Sequence, residues 1–566
     1  MDLEEIKETE AWELYEKGRN FLRLRNVYND TDKNYRMYSG NQWEGAKIEG
    51  IEQAQYNFIE TIVNYKVSTI NQNLWGINYS SENYDNKEFR KTAEETCKLL
   101  NKRAARVWEK DQLDYKIREV SEDACVNDEG IMYVNYDENI HEPVNEVLLK
   151  NDIQYGNENN SDIQKQPYII ISQRKSVSEV QELAKSYKVP EKKMDLIVGD
   201  NDVFEQSGED GKQEVDPNCT VITKLWKENG KVFYSKSTRY VDIKKKTATG
   251  LTLYPIAHFN WREKKGNARG EGEVRFLIPN QLELNKTLAR MLLSVKQNAY
   301  PTKVANIDKI ANPSAINKIG GLIKVQNGAT IDDVHKVFTT IAPAQMSGDV
   351  GKTINDLIGI TRELKNSSDI ATGGINPEDA SGRAILAVQQ ASQQPMTKQV
   401  ISLKMFIEDL ARIWLDMWTT YEKNGIKLEE EKTDPNNQTY VEVVDVPGTV
   451  LESLKATVKV DITPKSPYDK YARELSLENL FKAGFFNVQR LPELETYAKL
   501  LPDDSTMPKQ DILKAVEIMK EEQQKIAMIN AQAQIMQQRA NQFINNDVDT
   551  QAQQVEDAVN MINQEQ

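Results

Sequence analysis

Hydrophobic residues recur at helical spacing over several long stretches of this chain. Apolar side chains three and four positions apart share one face of a helix, so this spacing predicts amphipathic helices. The predicted helices cover residues 1–28, 57–74, 87–126, 279–299 and 345–366. A loop, Y-S-G-N-Q-W-E-G, follows the first region, and we expect Trp43 in this loop to be an aromatic packing anchor.

Strand-forming residues dominate the region between the third and fourth predicted helices. The runs I-M-Y-V-N-Y-D and Y-I-I-I-S predict two strands separated by a polar segment at 141–166. Asn229 and Gly230 supply the two positive-φ positions that a tight hairpin needs between alternating strands. The fold class predicted for the whole chain is therefore α+β, predominantly helical.

Shorter signals refine this α+β region. Residues 176–187 predict a short capped helix, and the acidic, glycine-bearing segment 198–218 predicts an exposed loop. A strand at 253–261 is expected to extend the sheet that contains the hairpin. The next segment, K-K-G-N-A-R-G-E-G-E, holds three glycines and mixed charge, so we expect a hinge or boundary there.

A small α/β insert is predicted between the last two long helices. Residues T-K-V-A-N, N-P-S-A-I-N-K-I and G-L-I-K-V give a strand, a short helix and a second strand within 301–338. The insert is bracketed by the predicted helices at 279–299 and 345–366, and Pro279 is expected at the start of the first.

The stretch from 369 to 395 combines loop and helix chemistry. The adjacent Gly373 and Gly374 admit backbone angles closed to other residues, which predicts a mobile loop. Asn376 or Ser381 can then cap a long helix, which Pro395 is expected to kink rather than end. Beyond Pro395 a wide apolar face at 400–421 predicts deep burial.

The last part of the chain returns to strands and then to helix. Residues 440–462 predict strands, and Pro464 and Pro467 mark a break. From Asp511 onward the chain is glutamine-rich, with apolar heptad positions at 526–543 that predict limited helix association. The alternative for the final residues is a disordered polar tail.

Charge and composition narrow the classes of function. The 566 residues carry a formal net charge of −15, which argues against broad nonspecific adhesion to nucleic acid. Cys97, Cys125 and Cys219 are widely spaced and predict neither a disulfide framework nor a zinc site. We expect neither a signal peptide nor a membrane-spanning segment.

No enzyme constellation is evident in the residues. The run G-D-V-G-K-T resembles the end of a phosphate-binding P-loop, but Met346 stands where that motif requires glycine. The favoured interpretation is the first turns of a helix with an exposed Lys352. His141, His258 and His335 are isolated and are expected to be surface or sheet residues.

Several basic residues are candidates for contact with a polyanion. On the two bracketing helices these candidates could face phosphate or form ordinary solvated faces, and Arg383 could meet phosphate or an acid of a neighbouring subunit. The helix candidates are Lys286, Arg290, Lys296, Lys352, Arg362 and Lys365.

The order of these elements resembles the portal proteins of tailed bacteriophages. The resemblance rests on the Q-L-E-L-N-K helix, the insert, the second helix, the glycine-rich loop with S-G-R-A-I-L after it, and the proline-kinked helix. The segment G-N-Q-W and the strand P-I-A-H-F-N are similar to family features. The resemblance covers most of the chain.

The resemblance implies a division of the chain into named parts. It implies a wing at 1–274 and 381–466, stem helices at 275–300 and 339–369, a clip at 301–338, a tunnel loop at 370–380 and a crown at 467–566. The channel residues of the implied tunnel loop are Ile370, Thr372, Gly373, Gly374, Asn376, Glu378 and Asp379. The basic residues that could face the channel are Lys286, Arg290, Lys296, Lys352 and Arg383.

The resemblance also implies a function and a set of partners. Portal proteins form a ring, expected here to be a dodecamer, at one capsid vertex, where a terminase motor drives double-stranded DNA through the channel. The implied partners are the terminase large subunit, the major capsid and scaffolding proteins, and head-tail adaptor or tail proteins. The implied location is the virion, after assembly in the host cytoplasm.

Neither enzymatic activity nor a cofactor is expected on this resemblance. The alternatives are another virion adaptor, a coiled-coil scaffold and, less favoured, a P-loop packaging NTPase.

Overall fold

The fold was analysed in a computed structural model of the chain, which divides into two compact units, 1–464 and 465–566. In the first unit the structure describes residues 7–44, 52–72, 75–80, 87–200, 217–318, 320–326, 334–341, 349–365, 394–422, 426–433 and 439–446. In the second it describes residues 477, 480–482, 484–486, 490–501, 511–520, 522–526, 528–532, 534–536 and 553.

Five helices form the N-terminal part of the first unit. They are α1 (Glu10–Leu24), α2 (Val27–Ser39), α3 (Phe58–Ile70), α4 (Lys87–Lys110) and α5 (Leu113–Asn127). The prediction of one helix over 87–126 is wrong, because Gln112 adopts a left-handed conformation (φ 50°) that separates α4 from α5. Asn26 separates α1 from α2 in the same way, with φ 59°.

A three-stranded antiparallel sheet packs with α5. Its order is β2-β1-β8, formed by β1 (Glu129–Asp137), β2 (Glu142–Leu148) and β8 (Ile256–Asn260). Two expectations are corrected here. The polar segment 141–166 contains β2 and a further short strand, and β8 pairs with β1 instead of extending the sheet of the hairpin.

A five-stranded sheet carries the predicted hairpin. Its order is β3-β4-β5-β6-β7, all antiparallel, and the turn between β5 and β6 has Asn229 at φ 51° and Gly230 at φ 75°. The capped helix is also confirmed as α6 (Val177–Ser186), whose capping box joins Ser176 and Glu179. The strands are β3 (Ile153–Tyr155), β4 (Tyr168–Ser176), β5 (Asn218–Glu228), β6 (Lys231–Ser237) and β7 (Asp242–Ala248), and α7 (Glu191–Met194) lies between β4 and β5.

The region from 274 to 364 contains two long helices and an insert. These elements are α8 (Val274–Ala299), β9 (Thr302–Ala305), a 3-10 helix (Pro313–Asn317), α9 (Val334–Val337), β10 (Phe338–Ile341) and α10 (Asp349–Leu364). Pro279 lies inside α8 rather than at its start, so α8 begins five residues earlier than predicted.

The deeply buried helix predicted after Pro395 is confirmed as α11 (Thr397–Tyr421), preceded by the 3-10 turn Gln394–Met396. Trp414 and Trp418 on α11 are fully buried, and the Trp414 Nε1–H donates to Asn145 Oδ1 at 3.0 Å. The Tyr79 hydroxyl donates to the backbone oxygen of Ala411 at 3.0 Å. The helix predicted before Pro395, and hence the predicted kink, falls on residues outside those that the structure describes.

The remaining described elements are a hairpin and helices. The hairpin β11 (Ile426–Thr433) and β12 (Thr439–Val446) confirms strands near 440, but 457–462 lies outside the described residues. In the second unit, α12 (Leu491–Leu500) contributes Tyr497 to a small core with Leu477 and Leu501. Residues 511–520 are helical, as predicted.

The segment expected to be a hinge is instead fixed by buried charges. Arg269 is 6% exposed, and its guanidinium donates to the carboxylates of Glu129 and Glu158 and to the backbone oxygen of Ile153. Gly270 and Gly272 sit so close to the backbone around Asp128 that an added Cβ would lie under 3.0 Å from it. A buried guanidinium with several charged partners does not fit a hinge, whereas the alternative of a boundary agrees with the start of α8 at Val274, directly after this segment.

Candidate functional site

The antiparallel pair formed by α8 and α10 is the element from which the insert projects. The Asn280 side chain near the start of α8 donates to Thr361 Oγ1 near the end of α10 at 3.0 Å. Ile354 of α10 lies in the same apolar core as Leu284 and Leu288 of α8. At 1.5 Å per residue, the 26 residues of α8 span about 39 Å.

Only the first part of α8 is covered by the rest of the unit. Its buried residues end at Ala289, and residues from Lys296 to Tyr300 are exposed. The helix therefore leaves the core after about four turns and carries the insert outward. Large apolar side chains remain exposed on both helices of the pair: Leu292, Val295, Ile360 and Leu364.

The insert is closed by a two-stranded sheet that differs from the predicted one. β9 pairs with β10, and Thr302 lies opposite Ile341, whereas the predicted strand G-L-I-K-V forms only an isolated bridge from Val325 to Ile310. The Asn312 side chain holds this bridge, because it donates to Leu322 O and accepts from Lys324 N, both at 2.7 Å.

The insert has a small interior and an exposed apolar surface. Among its described residues, the buried hydrophobic side chains are Ile310, Ala315 and Val337. The exposed large apolar side chains are Val304, Ile307, Leu322 and Ile341. Among the described residues of the insert, more large apolar side chains are therefore exposed than buried.

Four of the candidate basic residues are exposed on the helix pair. Lys286, Arg290 and Lys296 are exposed on α8, and Lys352 is exposed in the first turns of α10. The helical interpretation of Lys352, rather than a P-loop, is therefore confirmed. Lys286 and Arg290 are four residues apart and share one face of α8, but Lys296 lies on a different face. The Lys286 ammonium also lies 3.7 Å from Glu283.

Lys365, a candidate for contact with a polyanion, lies instead in an internal ion cluster. Its ammonium donates to Glu273 Oε1 at 2.7 Å. Sequence reasoning missed Glu273, which is 0% exposed and immediately precedes α8. The sequence carries no signal for this role, since the partners Lys66 and Lys365 are far from Glu273 along the chain.

The electrostatics of Glu273 are set by burial and by its partners. Burial alone raises the pKa of this carboxyl, but Lys66, Lys365 and Arg262 together lower it to about 2. Burial is also the main reason that the pKa of Lys66 is lowered, although Glu273 opposes this effect. The Glu273 carboxyl is therefore ionised at neutral pH.

The channel residues of the predicted tunnel loop, and Arg383 after it, lie outside the described residues. These are Ile370, Thr372, Gly373, Gly374, Asn376, Glu378, Asp379 and Arg383.

Trp43 is partly buried and its Nε1–H donates to Ala54 O at 3.2 Å, as expected of a packing anchor. His258 is a sheet residue on β8 whose Nε2 lies 2.8 Å from Glu129 Oε2.

Two further findings concern sites and membranes. Within the ranges that the structure describes, no three His, Cys, Asp or Glu residues are grouped so as to hold a metal ion. In the same ranges, no helix has the length and apolarity that crossing a bilayer requires.

The described fold is a mixed α+β body from which a helix pair carries a β-insert outward. Comparison with known families makes the identification specific. The model of the Phage P22-like portal protein family matches residues 139–564, about three quarters of the chain. The chain therefore belongs to this family of phage portal proteins, a structural and non-enzymatic class. No curated protein matches the chain.

Proposed function

We propose that this chain assembles into a ring-shaped channel at one capsid vertex, through which double-stranded DNA is packaged and ejected. Family membership supports the proposal. The observation that carries it further is the helix pair, which leaves Leu292, Val295, Ile360 and Leu364 exposed in the single protomer. Rings formed by head-to-tail contacts bury such residues between neighbouring copies.

Each part of the chain has a proposed role in this ring. The pair α8 and α10 forms the stem, residues 301–338 form the clip, and residues 370–380 form the tunnel loop. The wing comprises 1–274 and 381–466, and the crown comprises 467–566. The apolar surface of the insert suits the clip, because tail or adaptor proteins must dock on it.

The net charge of the chain suits a channel through which DNA slides better than a protein that binds DNA tightly. Many lysine or arginine contacts to phosphate hold DNA in a salt-dependent way, whereas a channel must let the duplex slide. A net charge of −15 agrees with sliding. We propose that Lys286, Arg290, Lys296, Lys352 and Arg383 give limited local contacts, alongside the tunnel-loop residues.

The proposed partners follow from position in the virion. They are other copies of this chain in a dodecamer, the terminase large subunit, major capsid and scaffolding proteins, and adaptor or tail proteins. The protein resides at the capsid vertex after assembly in the host cytoplasm.

Electron microscopy of the purified protein tests this proposal. Class averages should show rings of about twelve subunits with an axial channel. Filaments or dimers would contradict the portal role and favour an adaptor or coiled-coil scaffold. Measurable ATP turnover by the purified protein would favour a packaging NTPase instead.

A further inference from the structure

The carboxylate of Glu273 collects donors from three separate parts of the first unit. Its Oε1 receives the ammonium of Lys365 at 2.7 Å and lies 3.2 Å from that of Lys66. Its Oε2 receives Arg262 Nη2 at 2.7 Å. We call Lys66, Arg262, Glu273 and Lys365 the Glu273 cluster. Lys66 comes from α3, Arg262 from the segment after β8, and Lys365 from the residue after α10.

Lys365 has a special place in this cluster. It follows the last residue of α10 and is the last described residue before 366–393, the stretch that contains the predicted tunnel loop. Its ammonium also lies 5.1 Å from the centre of the Phe276 ring on α8. One turn earlier, Thr361 of α10 is joined to Asn280 of α8. Two contacts one helical turn apart, Lys365 with Glu273 and Thr361 with Asn280, thus join the end of α10 to the start of α8.

The Lys365 contact can be removed without leaving a buried charge alone. Three cations surround one carboxylate, so Lys66 and Arg262 still neutralise Glu273 when Lys365 is withdrawn. Withdrawal also relieves the repulsion between the ammonium groups of Lys365 and Lys66. Loss of the Lys66 contact would be far more costly, because both Lys66 and Glu273 are buried.

We propose that Lys365 and Glu273 form a latch that fixes the point at which the chain leaves α10 and enters residues 366–393. They are positioning residues for the DNA-contacting loop and do not touch DNA themselves. This role rests on the proposed channel function, but the latch itself is a property of the protomer. A loop that must respond to passing DNA needs a fixed point of attachment to the fold, and a charged contact between two helix ends supplies one.

The test compares Lys365→Met with Lys365→Arg in the full-length protein. Methionine keeps the apolar stem and removes the charge, whereas arginine retains a donor for Glu273. Lys245→Met is the matched control, since Lys245 is an exposed lysine of β7. Hydrogen exchange should rise about tenfold at the amides of 361–365 in Lys365→Met and stay unchanged in the other two. Packaging of DNA in vitro should fall in Lys365→Met alone, with rings still assembled.

The readouts separate the latch from the channel. Unchanged exchange at 361–365 in Lys365→Met would overturn the latch. Increased exchange with unaltered packaging would overturn its positioning role. If the wild-type protein forms no rings, the proposed function fails, and the exchange comparison still decides whether the latch exists.

Discussion

Asp416 shows how one side chain joins distant parts of the fold. Its carboxylate is 2% exposed and accepts the backbone N–H groups of Thr252 and Leu253 at 2.7 and 2.8 Å. It thereby connects α11 to the segment that precedes β8. Asp416→Ala should lower stability by about 3 kcal/mol, because two backbone donors lose a charged acceptor in a buried setting. The measurement is the shift in Tm.

Asp409 supplies the control on the same helix. It is exposed and pairs with Arg412 at 3.0 Å, so Asp409→Ala should change stability by less than about 0.5 kcal/mol. An equal loss of stability in Asp416→Ala and Asp409→Ala would show that the backbone contacts of Asp416 do not stabilise the fold as proposed.

Asp123 gives a residue-scale prediction that depends on pH. Burial, followed by repulsion from Glu119 and Glu122, raises the pKa of this carboxyl to about 7. The folded state therefore resists its ionisation, and this cost is full above pH 7 and absent below the unfolded pKa of about 4. Asp123→Asn should raise Tm at pH 8, by an amount equivalent to about 4 kcal/mol for pKa values of about 4 and about 7 in the unfolded and folded states, and have almost no effect near pH 4.

Thermal unfolding across pH 4–8 measures this effect, and Glu109→Gln is a control at an exposed acid of α4. A gain from Asp123→Asn that is the same at both ends of the range would contradict the assigned pKa.

At the scale of elements, the exposed apolar residues of α8 make a prediction about assembly. Val295 is 56% exposed in the protomer, although it is a large aliphatic residue on a helix that leaves the core. If it lies between subunits, Val295→Glu buries a charge there and should abolish ring formation with the protomer still folded. Gln297→Glu adds the same charge two residues away at an exposed polar site and should leave rings intact.

Size-exclusion chromatography with light scattering gives the oligomeric state, and circular dichroism gives the fold of each variant. Normal rings from Val295→Glu would remove this residue from the subunit contact.

The insert permits a deletion at the same scale. Thr302 and Ile341 are paired in register, so their Cα atoms lie within about 5.5 Å of each other and a short Gly-Ser-Gly linker can replace residues 303–340. Because the described part of the insert buries few side chains, rings should still assemble. Binding of an adaptor or tail protein should be lost, as measured by pull-down. Loss of the rings themselves would show that the insert is needed for assembly.

At the scale of the whole molecule, we propose that the predicted tunnel loop acts only in the complete ring. Deleting residues 372–376 should leave rings assembled and impair DNA packaging, because the proposed ring places one copy of this segment per subunit around the duplex. In vitro packaging and electron micrographs of the same preparation measure the two effects. Loss of assembly would show that the stretch has a structural role instead.

Local chemistry determined those parts of the fold that the sequence predicted. The turn at Asn229 and Gly230 and the capping box at Ser176 depend on neighbouring residues alone, so their residue types are sufficient. The wide apolar face at 400–421 likewise predicted a buried helix, because a helix with so wide an apolar face packs that face into the core. The order of helix, insert and helix indicated the portal family, which the family match confirms.

Only the tertiary structure decided which distant segments meet. Sequence alone placed β8 in the wrong sheet, because an edge pairing depends on partners more than 100 residues away, such as Glu129 opposite Asn260. It assigned a hinge or boundary to 264–273, since charges and glycines ordinarily face water. In the fold, Arg269 and Glu273 are buried instead, since opposite charges from other elements satisfy them there.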